Sequence, residues 1–124
     1  MQELIVQHNP GFEALVDSIR PGIIEMTIED YQADDSWQLV DVREDREWLK
    51  DRLPRAVHLG RGVIERDVES RFPDKSTPLL LYCGGGYRSA LAAHNLQLMG
   101  YTRVASLVGG YKAWVQRLLP LVKD

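Results

Sequence analysis

Short apolar runs alternate with longer helical patterns along most of this chain, and this alternation restricts its fold more than any other feature. From Trp37 onward the apolar runs are too short for helices and have the length of strands buried on both faces. They lie at residues 38–42, 56–59, 78–82 and 103–105. Helical patterns cover residues 44–51, 63–70, 88–99 and 111–118. Strands that alternate with helices predict a parallel sheet covered by helices on both sides.

The first 32 residues follow a different pattern and show no residues with evident chemistry. Asn9 followed by Pro10 is typical of a helix start, and the apolar spacing up to Pro21 predicts a helix over residues 10–19. Thr27 and Asp30 resemble a capping box and predict a short helix to about residue 33, after a brief extended piece at 23–26. We therefore predict that residues 33–124 form the domain itself and that residues 1–32 are an N-terminal helical extension of it.

The composition fits one domain and excludes several classes of partner. The chain has 124 residues, 44% of them hydrophobic, and a net charge of -3 without a basic block, which disfavours nucleic acid. Residues 1–8 lack the basic start and long apolar run of a signal peptide, and no segment approaches the roughly 20 apolar residues of a membrane span. We expect a cytoplasmic protein with neither a membrane nor a nucleic-acid partner.

The segment around Cys83 carries the chemistry. Cys83 is the only cysteine, which excludes an intramolecular disulfide and a cysteine-based zinc cage. It follows the buried run and precedes three glycines at 84–86, whose backbone N–H groups can converge on an anion. Arg88 then opens a helix, and the guanidinium and the helix N-terminus both favour the thiolate form of Cys83. The sequence therefore predicts a nucleophilic cysteine at the carboxyl end of a strand.

This segment resembles the active loop of the rhodanese family, which opens with the nucleophilic cysteine and runs six residues, here from Cys83 to Arg88. Segments 39–44, 53–59 and 107–114 resemble three further motifs of the family, in the same order along the chain. The resemblance covers about Ala33 to the C-terminus. It implies a three-layer α/β domain, with a central five-stranded parallel sheet flanked by helices.

The resemblance also implies a sulfurtransferase. Cys83 would take a sulfur atom from a small anionic donor such as thiosulfate or 3-mercaptopyruvate and hold it as a persulfide. It would then pass the sulfur to a thiophilic acceptor, which includes cyanide, a small thiol or a protein thiol. Arg88 would attract the donor and stabilise the leaving group. Because Cys83 itself carries the sulfur, the resemblance implies neither a cofactor nor a metal.

Other residues receive supporting roles from the resemblance. The residues that would bind the substrate are Gly84, Gly85, Gly86, Tyr87 and Ser89. Asp41 and Arg43 would hold the loop from the neighbouring strand end. The alternative for Arg43 is a surface ion pair with Glu44 or Glu47, worth under about 1 kcal/mol.

Several residues depart from the family pattern or lack an assigned role. Asp51 and Arg52 stand where the family often has Gly-His, and Arg55 where it often has Gly, so the arginines either widen an anion funnel or face solvent. The three histidines have no metal-ligand spacing, and we expect no catalytic role for them: they are His8, His58 and His94. Four large apolar residues are expected in the core: Trp48, Leu96, Leu98 and Trp114.

Two rival functions remain open at this stage. Cdc25-like phosphatases and arsenate reductases share the fold and also use a cysteine and an arginine, but their loop has five residues between the two. Here four residues, 84–87, separate Cys83 from Arg88, which suits a single sulfur atom better than phosphate. A non-catalytic rhodanese-like binding module is the second rival, although such modules commonly lose the cysteine.

Overall fold

Five parallel strands form the central sheet of this protein, in the order β1-β5-β4-β2-β3. The computed structural model describes residues 8–123. The strands are β1 (Ile24–Met26), β2 (Gln38–Asp41), β3 (Val57–His58), β4 (Leu79–Tyr82) and β5 (Val104–Leu107). The helices are α1 (Pro10–Ile19), α2 (Ile28–Ala33), α3 (Asp45–Lys50), α4 (Ile64–Arg71), α5 (Tyr87–Leu98) and α6 (Gly110–Gln116). The predicted three-layer α/β fold is confirmed.

The central strand β4 has a hydrophobic core on each face. Successive side chains of a strand point to opposite faces, so Leu79 and Leu81 pack into a core that includes Leu96 of α5. Leu80 packs on the other face, in a core that includes Trp114 of α6. Because both faces of β4 are fully buried, its sequence is continuously apolar rather than alternating, and its carboxyl end is fixed from both sides.

The N-terminal segment is part of the sheet as well as a helical addition. Helix α1 has the predicted bounds, and the Thr27 capping box before α2 is formed. The extended piece at 23–26 becomes the edge strand β1, which pairs with β5 and so ties the segment to the rest of the domain. Helix α1 then packs against α5. The division of the chain into residues 1–32 and 33–124 stays a prediction.

One expected core residue is exposed. Leu98 has 75% of its surface accessible, whereas Leu96 is fully buried. Two positions along a helix correspond to a rotation of about 200°, so these side chains cannot share one face, and the prediction for Leu98 was wrong.

The expected lack of a signal peptide and the expected lack of a membrane span concern different parts of the chain. Residues 1–7, on which the expected lack of a signal peptide mainly rests, lie outside the described residues. None of the helices within residues 8–123 combines the length and the apolar character needed to cross a membrane.

Candidate active site

A buried ion pair organises the sheet edge beneath the cysteine loop. Asp41 is the last residue of β2 and is fully buried, and Arg43, two residues on, is 2% exposed. The Arg43 guanidinium donates to both Asp41 carboxylate oxygens at 2.7 to 3.0 Å. The Tyr82 hydroxyl donates to the same carboxylate at 2.7 Å. The end of β4 is therefore tied to the end of β2 just before Cys83.

The protonation states of this buried group follow from its contacts. Burial opposes the charge of Arg43, but the hydrogen bonds and the negative charge of Asp41 outweigh it, so the pKa of the Arg43 guanidinium is raised. Burial and the Asp41 carboxylate together raise the pKa of the Tyr82 hydroxyl. Tyr82 therefore stays protonated and continues to donate to Asp41 at neutral pH.

The loop directs hydrogen-bond donors at the Cys83 sulfur. Cys83 is 1% exposed, and its Sγ accepts from the backbone N–H of Gly86 at 3.1 Å and of Ser89 at 3.4 Å. The Ser89 hydroxyl lies 3.4 Å from the same sulfur and 2.8 Å from the hydroxyl of Ser106 on β5. Gly86 has a φ of 99°, which strongly favours glycine. Two backbone donors, from the loop and from the first turn of α5, therefore converge on the Cys83 sulfur.

The start of α6 holds the loop from the other side. The backbone N–H of Tyr111 donates to the Cys83 carbonyl at 2.8 Å, and that of Lys112 donates to the Gly84 carbonyl at 2.9 Å. Gly110 allows this approach, because a Cβ built on it would overlap the Cys83 carbonyl oxygen. The Tyr111 ring lies under the Arg43 guanidinium, 4.5 Å from its centroid. Asp41, Arg43 and the first residues of α6 thus support the loop, and neither Asp41 nor Arg43 lines the cavity above it.

Arg88 is paired with a carboxylate from another helix. Its Nη1 donates to Glu47 Oε1 at 2.8 Å, and its Nη2 lies 3.4 Å from Oε2. The hydrogen bond to Arg88 holds the pKa of the Glu47 carboxyl below its usual value, and the same bond raises the pKa of Arg88. The charge that was predicted to attract the donor is therefore largely balanced within the protein.

The Glu47–Arg88 pair leads to a pH prediction. Replacing Glu47 with glutamine removes the ion pair and is expected to lower the free energy of unfolding by about 0.5 to 1 kcal/mol at pH 7. The loss is small because both side chains remain partly exposed. The folded pKa of Glu47 is depressed, so the pair stabilises the fold above the ordinary value of 4.5 and loses this effect as the pH falls through the folded value. Chemical denaturation at pH 7, 4 and 3 measures the difference between the two proteins.

The control for this prediction is the same substitution in an Arg88→Met background. Arg88 is absent from that background, so Glu47→Gln should no longer cause the loss of stability that is due to the ion pair at pH 7. The double-mutant cycle isolates the interaction as the difference between the two backgrounds. An equal loss with and without Arg88, or a loss that persists at pH 3, would contradict the assignment.

A cavity of about 400 Å³ opens above the sulfur. Cys83, Gly84 and Gly85 form part of its lining, together with the Glu47–Arg88 pair. The remaining side chains of the lining come from the N-terminal segment, from the first residue of α5 and from α6: they are His8, Phe12, Tyr87 and Lys112. Phe12 stacks on Tyr87 with ring centroids 5.6 Å apart, and the His8 ring is 4.2 Å from that of Tyr87. The cavity therefore has one aromatic wall.

The structure brings most of the predicted site residues together. Those that line the cavity are Cys83, Gly84, Gly85, Tyr87 and Arg88. Gly86 and Ser89 contact the sulfur from behind, where Ser89 is fully buried. The alternative ion pair of Arg43 with Glu44 or Glu47 was wrong, because Arg43 is buried against Asp41. The individual roles in catalysis stay predictions.

The departures from the family pattern lie away from the cavity. Asp51 and Arg52 are buried, and the Arg52 guanidinium packs 4.4 Å from the Trp48 ring centroid. Arg55 is exposed, has a φ of 70° and donates to the Tyr31 hydroxyl at 2.8 Å. A positive φ explains why glycine suits this position. None of the three lines the cavity above Cys83, so the anion-funnel alternative receives no support.

Several residues of the site escaped the sequence analysis. Glu47 had been considered only as a partner of Arg43, although it is an acidic residue on the helix that follows the β2 end. Ser106 carried a recognisable signal, since it is a polar residue within an otherwise apolar strand. His8, Phe12 and Lys112 gave no local signal, because only the packing of α1 and α6 brings them to the loop. Within residues 8–123, no three histidine, cysteine or acidic side chains are grouped so as to hold a metal ion.

Fold and site define a class of protein: a parallel α/β domain with a buried cysteine in a glycine loop between a central strand and a helix. The model of the rhodanese-like domain family matches residues 27–117. The chain belongs to this family.

The chain is also similar in sequence to two sulfurtransferases and in structure to a solved protein. A thiosulfate sulfurtransferase, GlpE from Coxiella burnetii, is 31% identical over 88 residues, which are 64% of this chain and 80% of the relative. A sulfurtransferase from Allochromatium vinosum is 37% identical over 84 residues, which are 68% of this chain and 77% of the relative. A structure from Rhodopseudomonas palustris described as a possible tyrosine phosphatase is 27% identical, with a TM-score of 0.76 over 98% of this chain and 99% of that one.

Proposed function

We propose that this protein is a sulfurtransferase that carries sulfur as a persulfide on Cys83. The observation that carries the proposal is the set of donors at the Cys83 sulfur, where N–H groups of Gly86 and Ser89 converge beneath an open cavity. A thiolate held in this way is a nucleophile toward sulfur, and sulfur transfer needs no metal and no dissociable cofactor. The names of the Coxiella and Allochromatium relatives support the same activity.

The proposed cycle has two steps. The Cys83 thiolate attacks the outer sulfur of thiosulfate, the sulfur–sulfur bond of the donor breaks, and its electron pair leaves on sulfite. The outer sulfur of the resulting persulfide is then attacked by a thiophilic acceptor, which regenerates the Cys83 thiolate. The charges balance in both steps, and no external oxidant or reductant enters. Since the described chain has no second cysteine, the acceptor is a separate molecule, such as a small thiol, a protein thiol or cyanide.

The residues of the loop would assist this cycle. Backbone N–H groups of Gly84, Gly85, Gly86 and Tyr87 would hold the negative outer sulfur of the persulfide, as preorganised donors do for a developing charge. The Arg88 guanidinium has five N–H donors, and Glu47 uses only some of them, so others can contact the sulfite. We place the reaction in the cytoplasm, where a lone reactive thiol is kept reduced.

Phosphatase activity is the second candidate, and the Rhodopseudomonas palustris structure is the observation that favours it. The length of the loop argues against it. Only residues 84–87 separate Cys83 from Arg88, and this spacing suits a single sulfur atom better than a phosphate group.

The test is a measurement of intact mass. The reduced protein is incubated with thiosulfate, and separately with 3-mercaptopyruvate, and its mass is recorded before and after cyanide is added. We expect a gain of one sulfur atom with at least one donor, and its removal by cyanide with formation of an equal amount of thiocyanate. The comparison of the two donors identifies which of them the site accepts.

Alkylation provides the control, because Cys83 is the only cysteine and iodoacetamide blocks it selectively. Alkylated protein should gain no sulfur. A protein that gains no sulfur with either donor while it hydrolyses para-nitrophenyl phosphate would overturn the proposal in favour of a phosphatase. A protein inactive in both assays, with a thiol that still reacts with iodoacetamide, would leave the binding module as the better account.

A further inference from the structure

The cavity above Cys83 differs in chemistry from a site built for an inorganic ion alone. Its volume of about 400 Å³ falls within the range of about 300 to 1,000 Å³ that is typical of sites for small organic ligands. Thiosulfate is a compact ion and would fill little of this space. The aromatic wall of Phe12 and Tyr87 also offers a flat apolar surface, which an inorganic anion does not use.

The wall is held in place by the N-terminal segment. The Tyr87 ring contacts the Phe12 ring and also the Arg20 guanidinium, which is 5.1 Å from the Tyr87 centroid. Arg20 is itself fixed by an ion pair with Glu25 at 2.6 Å. The wall is therefore already ordered in the absence of a ligand, so a flat group can stack against it at little entropic cost.

The charges of the cavity leave one cation available for an anion. Glu47 is the carboxylate in the lining, and it is paired with Arg88. Lys112 also lines the cavity, and within residues 8–123 its ammonium group takes part in no salt bridge. Its backbone N–H donates to the Gly84 carbonyl at 2.9 Å, which fixes the base of the side chain beside the loop.

We propose that Phe12, Tyr87 and Lys112 select an organic sulfur donor: a molecule with a flat apolar body next to an anionic group that bears the transferable sulfur. The inference rests on the sulfurtransferase function proposed above and names the class of donor. Phe12 and Tyr87 contact the body, and Lys112 contacts the anionic group. Phe12 and Tyr87 are the specificity-determining residues, Lys112 binds the anionic group that these donors share, and Cys83 remains the nucleophile.

An aromatic thiosulfonate is a probe with this chemistry. The Cys83 thiolate attacks its terminal sulfur, and the bond from that sulfur to the sulfonyl sulfur breaks. The electron pair leaves on the sulfinate, and Cys83 is left with a persulfide. The step conserves charge and requires no further reactant.

The first experiment compares benzenethiosulfonate with methanethiosulfonate, using cyanide as the acceptor. In a double-displacement reaction, kcat/KM for the donor reports the loading of Cys83 alone. We divide kcat/KM for benzenethiosulfonate by kcat/KM for methanethiosulfonate. Phe12→Ala is expected to lower this ratio about threefold to tenfold relative to the unaltered protein. Because each protein is assayed with both donors, differences in their intrinsic reactivity cancel.

Two further variants guard this result against a simple loss of folding. Phe12→Leu keeps an apolar side chain in the wall and should give an intermediate ratio. Leu15→Ala alters the same helix at a side chain that is 52% exposed, and it should leave the ratio unchanged. An unchanged ratio in Phe12→Ala, or an equal change in Leu15→Ala, overturns the role of the aromatic wall.

The second experiment addresses the cation. Lys112→Met is expected to lower kcat/KM about threefold to fivefold for benzenethiosulfonate, methanethiosulfonate and thiosulfate alike, and Lys112→Arg should restore most of the loss. Lys50→Met removes the same net charge from α3 and should have no such effect. Equal losses in the two lysine variants would assign the effect to net charge and overturn the role of Lys112.

The failure of this inference can be told from failure of the proposed function. If no donor adds sulfur to Cys83, the sulfurtransferase proposal fails and the inference fails with it. If sulfur is added but Phe12→Ala leaves the ratio of the two donors unchanged and Lys112→Met leaves kcat/KM unchanged, only the inference is overturned.

Discussion

Cys83→Ser is expected to abolish sulfur loading and thiocyanate formation while the fold stays intact. A serine hydroxyl is not ionised near neutral pH and cannot form a persulfide, so thiocyanate production should fall to the rate measured without protein. The serine oxygen can still accept from the N–H groups of Gly86 and Ser89, which now donate to the sulfur. We therefore expect the free energy of unfolding to change by less than about 1.5 kcal/mol.

Cys83→Ala is the informative comparison for this prediction. Alanine removes the acceptor and leaves the buried N–H of Gly86 without its partner, which costs about 1 to 3 kcal/mol. Chemical denaturation should therefore rank the alanine variant below the serine variant in stability, although both are inactive. Residual thiocyanate formation by the serine variant, or equal stability of the two, would show that the loop does not act on the sulfur as described.

The centre of the sheet was predictable because β2, β4 and β5 are largely buried on both faces. They are short, mainly apolar runs between helical patterns, and such runs have few alternatives in a chain of this size. The cysteine loop was predictable for the same kind of reason, since Cys83, the glycines and Arg88 are contiguous in sequence. Local patterns therefore sufficed for the elements and for the nucleophile.

Features that depend on contacts between distant residues were not predictable. Glu47 and Arg88 are 41 residues apart, and no periodicity links them. The aromatic wall needs α1 to lie against α5 before Phe12 can reach Tyr87. The extended piece at 23–26 was predicted, but its pairing with β5 as the edge strand β1 was not, because three residues are too few to show a period of two. In each case the tertiary structure decided the outcome.

Gly110→Ala is expected to damage stability and sulfur loading together. Gly110 has a φ of 51°, where an alanine costs about 1 to 2 kcal/mol, and its added Cβ would overlap the carbonyl oxygen of Cys83. Forcing an extra carbon into a packed site adds about 1 to 3 kcal/mol. We therefore expect the free energy of unfolding to fall by about 2 to 5 kcal/mol.

The same clash should move the cysteine loop. Relief requires the backbone at Cys83 and the start of α6 to separate, which lengthens the hydrogen bonds that Tyr111 and Lys112 now make to the loop carbonyls. Because displacements of about 1 Å can cost 10²-fold in rate, sulfur loading from thiosulfate should fall at least about tenfold even under conditions where the variant is fully folded. Gly62→Ala is the matched control, since a Cβ there meets no atom within 4 Å. Stopped-flow loading rates, with circular dichroism to verify folding, decide the matter: a folded Gly110→Ala protein that loads sulfur at the unaltered rate would show that α6 does not position the loop.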